Sequence, residues 1–178
     1  MPPEIQILNG SAIRERALQE VARTVQGVFS LPVSLEPADL DLNVAFDESR
    51  KQNNSTALLA QILNNAPDPS SKRLAVVDVD LFIPVLTFVF GEAQLRGPAA
   101  IVSTHRLSNP FYGLPRDDRL LQQRLEKEIV HELGHTFGLY HCHHFECVMR
   151  SSTYVEEIDM KRVLPCAACA EALAASLK

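Results

Sequence analysis

Apolar residues in this chain recur at two different spacings, and the alternation between them predicts a mixed α/β fold. Ala12 to Gly27 reads as a helix, with Ile13, Ala17, Val21 and Val25 on one stripe and Ser11 as its N-cap. Ser55 to Asn64 reads as a shorter helix whose Leu58, Leu59, Ile62 and Leu63 face inward. Asp118 to Phe137 reads as a long helix with Leu120, Leu121, Leu125 and Ile129 on its core face. The Ala-rich stretch Cys169 to Leu177 closes the chain as a last helix.

Between these helices lie runs with strand character. Glu4 to Leu8 alternates, and Leu31 to Leu35 is closed by Pro37. Leu74 to Leu81 has Val76, Val77 and Val79 in its middle, and Asp78 and Asp80 give it one polar face. Those two carboxylates read better as pins for a loop at a strand end than as a cation site, since two acids without further ligands rarely hold a metal. Val85 to Phe90 and Ala99 to Thr104 read as two more strands joined across Gly91 to Pro98, while Pro67 and Pro69 mark Asn64 to Lys72 as a loop. The pattern predicts a twisted mixed sheet with helices packed against it. An open edge, expected at Val85 to Phe90 or the loop after it, would accept an extended peptide as an added strand.

Composition changes this picture little. A chain of 178 residues with 46% hydrophobic and 22% charged residues suits one globular domain. A net charge of −5 and the lack of a Lys/Arg-rich run argue against nucleic acid as partner. The longest uncharged apolar stretch, Leu81 to Phe90, is interrupted by Pro84 and is too short for a bilayer, so no membrane partner is expected. Met1 to Gly10 has no basic residue and does not read as a signal peptide, so the expected location is the cytoplasm and the expected state a monomer.

The chemistry is concentrated in one stretch, His131-Glu132-Leu133-Gly134-His135-Thr136-Phe137-Gly138-Leu139-Tyr140-His141. Residues i and i+4 of a helix lie one above the other, so His131 and His135 can face one metal ion. Glu132 is turned about 100° from His131, beside the metal and outside its coordination shell. Gly138 tolerates the positive φ that ends a helix, and the turn there returns His141 as third ligand. Three protein ligands leave one position for water, the arrangement of a catalytic zinc. The expected reaction is peptide hydrolysis by a zinc-activated water, with Glu132 as general base and a peptide or protein as substrate. The rival reading is a catalytically silent zinc-dependent peptide- or protein-binding module, against which Glu132 argues, since pure binding has no use for a base there. A nucleic-acid-binding zinc module fits the C-x2-C spacing but not the acidic balance.

All four cysteines, Cys142, Cys147, Cys166 and Cys169, lie in the last third, spaced C-x4-C, eighteen residues, C-x2-C. Two short-range pairs converging on one tetrahedral ion is structural zinc spacing, and a reducing compartment disfavours the alternative of two disulfides. Four thiolates complete a shell, which leaves His143 and His144 as exposed polar residues. The expectation is two zinc ions per chain, one catalytic and one structural.

The stretch His131 to His141 matches the long zincin motif H-E-x-x-H-x-x-G-x-x-H, and Met149 follows eight residues later, where metzincins carry a Met-turn under the metal. With the cysteines placed around that methionine, the chain resembles the archaemetzincin family of metzincin metallopeptidases. Val77 to Leu81, Phe88 to Ala93 and Ser103 to Leu107 are also similar to that family. The resemblance implies a compact metzincin-like fold. It also implies a catalytic zinc on His131, His135 and His141, Glu132 as base, and a second zinc on the four cysteines. Residues about 1–141 would form an N-terminal subdomain with the active-site helix, and 142–178 a zinc-stapled C-terminal subdomain of the same single domain. Some metzincins bind the metal through a Tyr two residues after the methionine. Ser151 stands there in this chain, and Tyr154, further along, is a candidate to line the cleft or steady an oxyanion.

Overall fold

The computed structural model describes residues 3–65 and 70–177. Its elements, in chain order, are β1 (Ile5–Gly10), α1 (Glu15–Phe29), β2 (Val33–Pro37), α2 (Leu42–Ala45), β3 (Phe46–Asp47), β4 (Gln52–Asn54), α3 (Ser55–Asn64), β5 (Lys72–Val77), β6 (Leu81–Phe82), β7 (Gly91–Ala93), β8 (Ala99–Ser103), α4 (Asp118–Thr136), α5 (Val155–Asp159) and α6 (Ala167–Ser176). The main sheet has the order β2-β1-β5-β8-β7. Its first four strands are parallel, and β7 runs antiparallel to β8 at one edge. A smaller sheet, β3-β4-β6, stands beside it.

Burial explains the strand sequences. A parallel sheet covered on both faces needs apolar residues at successive positions rather than alternate ones. In β5, Leu74 and Val76 enter the core shared with α1 and α4, whereas Ala75 and Val77 enter a second core with Leu58, Leu59 and Ile62 of α3. Strand β8 divides the same way, with Ala100 and Val102 on one side and Ala99 and Ile101 on the other. The first core continues through Leu125, Ile129 and Leu133 of α4 into Val148, Met149, Ile158 and Leu173. The chain beyond His141 therefore shares the core of the sheet.

Several sequence expectations shift. Helix α1 starts at Glu15 with Arg14 at its N-cap, and Ser11 instead bonds Asn9 Oδ1 in the preceding turn. Strand β5 ends at Val77, so Val79 and Asp80 lie beyond it. Val85 to Phe90 is not a strand; only Val89 makes an isolated bridge, to Leu81. Arg50 donates to the carbonyls of Ile83 and Leu86, and Gln52 to that of Thr87, which holds this segment as a loop. The edge strand is the next segment, β7, in the loop after Phe90, the second of the two places expected to supply an open edge. The loop marked by Pro67 and Pro69 falls on residues 66–69, outside the described residues.

Both aspartates pin loops. Asp78 accepts from the Ala12 amide at 2.5 Å and from the Thr104 hydroxyl, tying together the segments that follow β1, β5 and β8. Asp80 takes both arms of the Arg106 guanidinium at 2.6 and 2.7 Å. A bidentate guanidinium leaves little room for a cation.

Candidate active site

Helix α4 is capped by Asp117, whose carboxylate accepts from the Leu120 amide, and ends in a turn built for Gly138. Gly138 has φ +92°, and its N–H bonds the His135 carbonyl while that of Leu139 bonds Gly134. This is the Schellman arrangement, which needs a left-handed residue after the cap. Lys72 Nζ donates to the carbonyls of Thr136 and Gly97, adding a cation at the helix's negative end.

The turn brings three imidazoles together. Their ligand nitrogens all lie within 4.8 Å of one another, with His131 Nε2 and His135 Nε2 3.2 Å apart. Two nitrogens on a tetrahedral zinc stand about 3.3 Å apart, given Zn–N near 2.0–2.1 Å. Each helical histidine is fixed from behind. The Nδ1–H of His131 donates to the Val148 carbonyl and that of His135 to the Leu139 carbonyl, both at 2.8 Å. That leaves the Nε2 lone pairs facing one point. Burial pushes the pKa of all three below the ordinary histidine value, His131 most strongly, which favours the neutral ring that a metal ligand needs.

Met149 is fully buried against Gly134, between His131 and His135 in sequence, where an added Cβ would collide with its sulfur. Glu132 is 6% exposed. Burial raises its carboxyl well above the usual range, Glu128 and Glu92 push the same way, and Lys161 opposes them. A Cβ at Gly91 would lie 2.8 Å from Glu132 Cγ and Oε1, so the first residue of the edge strand must be glycine for the carboxylate to sit where it does. Sequence reasoning passed over Gly91, which carries no local signal of that role.

The imidazoles and Glu132 line a cleft of about 440 Å³. Its opposite wall is Leu86 to Gly91 and Ala93, and Ser151 to Thr153 with Glu128 close other sides. The guanidinium of Arg106 lies 4.1 Å from the Phe88 ring centroid, so the Asp80–Arg106 pair steadies that wall. Ser151 thus borders the cleft, whereas Tyr154 is 66% exposed at the start of α5 and is not among the lining residues. A larger hollow of about 720 Å³ lies over the carboxyl ends of β1, β5 and β8, but no metal-ligand cluster among the described residues falls in it.

The four cysteines form the second cluster, with their sulfurs also within 4.8 Å of one another. Cys142 Sγ and Cys166 Sγ are 3.7 Å apart, and all four thiols are unbonded to each other. Tetrahedral sulfurs on zinc stand about 3.8 Å apart, given Zn–S near 2.3 Å. Amides of Cys166 and His144 donate to Cys147 Sγ and Cys142 Sγ, as suits thiolates. His143 and His144 are exposed. No helix among the described residues is long and apolar enough to cross a membrane.

Comparison with known proteins assigns the chain to a family. Residues 16–175 match the family described as Peptidase family M54. The archaemetzincin of Methanocaldococcus jannaschii is 36% identical over 161 residues, which is 90% of this chain and 87% of that protein. A crystal structure of a zinc-dependent peptidase from Methanocorpusculum labreanum superposes with a TM-score of 0.83 at 32% identity, covering 95% of this chain and 99% of that one. The archaemetzincin of Archaeoglobus fulgidus, solved in complex with malonate, gives a TM-score of 0.80 at 34% identity over the same shares. The chain belongs to peptidase family M54, the archaemetzincins, a family of zinc metallopeptidases.

Proposed function

We propose that this chain hydrolyses peptide bonds at a zinc ion held by His131, His135 and His141, with Glu132 as general base. The observation that carries the reading is the convergence of three imidazole nitrogens, two of them fixed from behind by backbone carbonyls, beside a buried carboxylate one residue along the same helix. Zinc, when bound there, supplies a Lewis acid that polarises the substrate carbonyl and makes water acidic near neutral pH.

The chain's own groups do the rest. The free edge of β7, whose Gly91 and Ala93 border the cleft, offers backbone donors and acceptors to an extended substrate. That pairing sets the scissile carbonyl over the imidazoles. Glu132 takes a proton from the attacking water and returns it to the departing nitrogen. Burial raises the Glu132 carboxyl well above its usual range, and a dication held beside it would favour the carboxylate form. Cys142, Cys147, Cys166 and Cys169 hold a second, structural zinc that ties the segment after α4 to α6, and Met149 is the apolar floor under the imidazoles.

Metal analysis tests the proposal. The protein as purified with zinc is expected to carry two ions per chain and to cleave peptides. Chelation should abolish cleavage and zinc should restore it. Cleavage by protein shown to be free of metal would contradict the proposal.

A further inference from the structure

One wall of the cleft is apolar and open to water. Leu86 borders the cleft and is 50% exposed, and its neighbour Val85 is 84% exposed. Phe88, Val89 and Phe90 continue the lining from Leu86 toward the edge strand. A different side of the cleft is Ser151, Ser152 and Thr153, small and hydroxylated. The two sides therefore offer unlike chemistry to whatever enters.

The fold holds the apolar wall in place. Arg50 donates to the carbonyls of Ile83 and Leu86, Gln52 to that of Thr87, and the Val89 amide to that of Leu81. The Arg106 guanidinium covers the Phe88 ring, and Phe90 stands edge-on to it with 5.2 Å between centroids. The backbone is thus tied down from behind while aliphatic side chains at the tip stay in water. Covering such surface is favourable in proportion to its area, and a wall already fixed loses little freedom when covered. Leu86 shares the cleft with His131 and Glu132, so a molecule seated over the imidazoles is what covers it.

We infer that Leu86, backed by Phe88, forms a subsite for one large apolar side chain of the substrate, of leucine or phenylalanine size. The inference rests on the peptidase reading. Successive side chains of an extended peptide point to opposite faces, so one residue near the scissile bond meets this wall while its neighbours point elsewhere. An aliphatic or aromatic group there removes water from both surfaces. A charged group would give up its water against Leu86 and Phe88 with no partner in return, and an alanine would cover too little of them.

Binding to the zinc-loaded Glu132→Ala protein reads this subsite without turnover. Matched fluorescent peptides of one small, polar sequence, with Leu, Phe, Ala, Asp or Lys at a single central position, are titrated in turn. The Leu and Phe peptides are expected to bind about tenfold tighter than the other three. Adding Leu86→Ser should remove most of that advantage, and adding Leu86→Asp should move the preference to the Lys peptide. Equal affinities across the series, or a Leu and Phe advantage untouched by Leu86→Ser, would overturn the inference. Should the Leu86 variants fail to fold, the peptide comparison in the parent protein decides alone. Wild-type cleavage of the same peptides separates the two ideas. Cleavage without apolar preference contradicts the subsite and leaves the peptidase, whereas apolar-selective binding that depends on Leu86, without cleavage, does the reverse. No binding by any peptide, with no cleavage, overturns both.

Discussion

Gly91 and Glu132 occupy adjoining space: a single carbon added to Gly91 would stand 2.8 Å from the Glu132 carboxylate oxygen and 2.7 Å from the Ile101 carbonyl. The edge strand and the proposed base are thereby fixed against each other. Gly91→Ala has to push either Glu132 away from the cleft or β7 away from β8. It is expected to lower kcat/KM at least about tenfold, the scale of a misplaced catalytic group, while zinc content stays at the wild-type value. Full activity in a folded Gly91→Ala protein would show that the position of Glu132 is not critical.

The two candidate ligand clusters meet at a peptide bond, since His141 and Cys142 are sequence neighbours. The Cys142 amide donates to the Met149 carbonyl, and the neighbouring Val148 carbonyl accepts from His131. Loosening the thiolate cluster should therefore loosen two of the three imidazoles. Cys166→Ser is expected to reduce both peptide cleavage and the affinity of the remaining zinc, although Cys166 touches none of the histidines. Normal cleavage and one tightly held zinc in this variant would separate the clusters.

Gly134 sets two effects against each other. Alanine is a better helix former by about 1 kcal/mol. Its Cβ, however, would enter the space of Met149 Sδ and come within 3.4 Å of Leu139. Overpacking a closed core costs about 1–3 kcal/mol, so Gly134→Ala is expected to lower the melting temperature of the zinc-loaded protein. A rise would mean that the floor under the imidazoles can yield.

Acid sensitivity follows from Asp80. Burial raises its pKa, but hydrogen bonds from Arg106 and Gln52 outweigh this, and the net effect is a lowered value. A carboxyl with a depressed folded pKa contributes stability above its unfolded value, about 3.9. That contribution is lost as pH falls through the folded pKa. Asp80→Asn should cost about 2 kcal/mol at neutral pH, the range for hydrogen bonds to a charged group. The gap between variant and wild type should close below about pH 4. A gap that persists in acid would place its cause elsewhere.

Much of this molecule is legible in its sequence, for reasons that are physical. The i, i+4 histidines, the terminating Gly138 and the clustered cysteines depend on local spacing, and the structure brings each group together. Helix α3 runs from Ser55 to Asn64, as its apolar pattern predicts, because Asn54 caps it and its apolar face packs under the sheet. Val85 to Phe90 misleads because its apolar residues wall a cleft instead of pairing in a sheet, and the side chains that hold the loop come from distant Arg50 and Gln52. Gly91 is invisible for a related reason: its role depends on Glu132, which lies opposite it in space.

The most direct measurement is cleavage of a diverse peptide library by the zinc-loaded protein, read by mass spectrometry beside Glu132→Ala loaded to the same zinc content. Cuts are expected in the wild type and none above background in the variant, with both proteins holding two zinc ions. Cuts that survive in Glu132→Ala, or an intact library with wild-type protein carrying both ions, would contradict it.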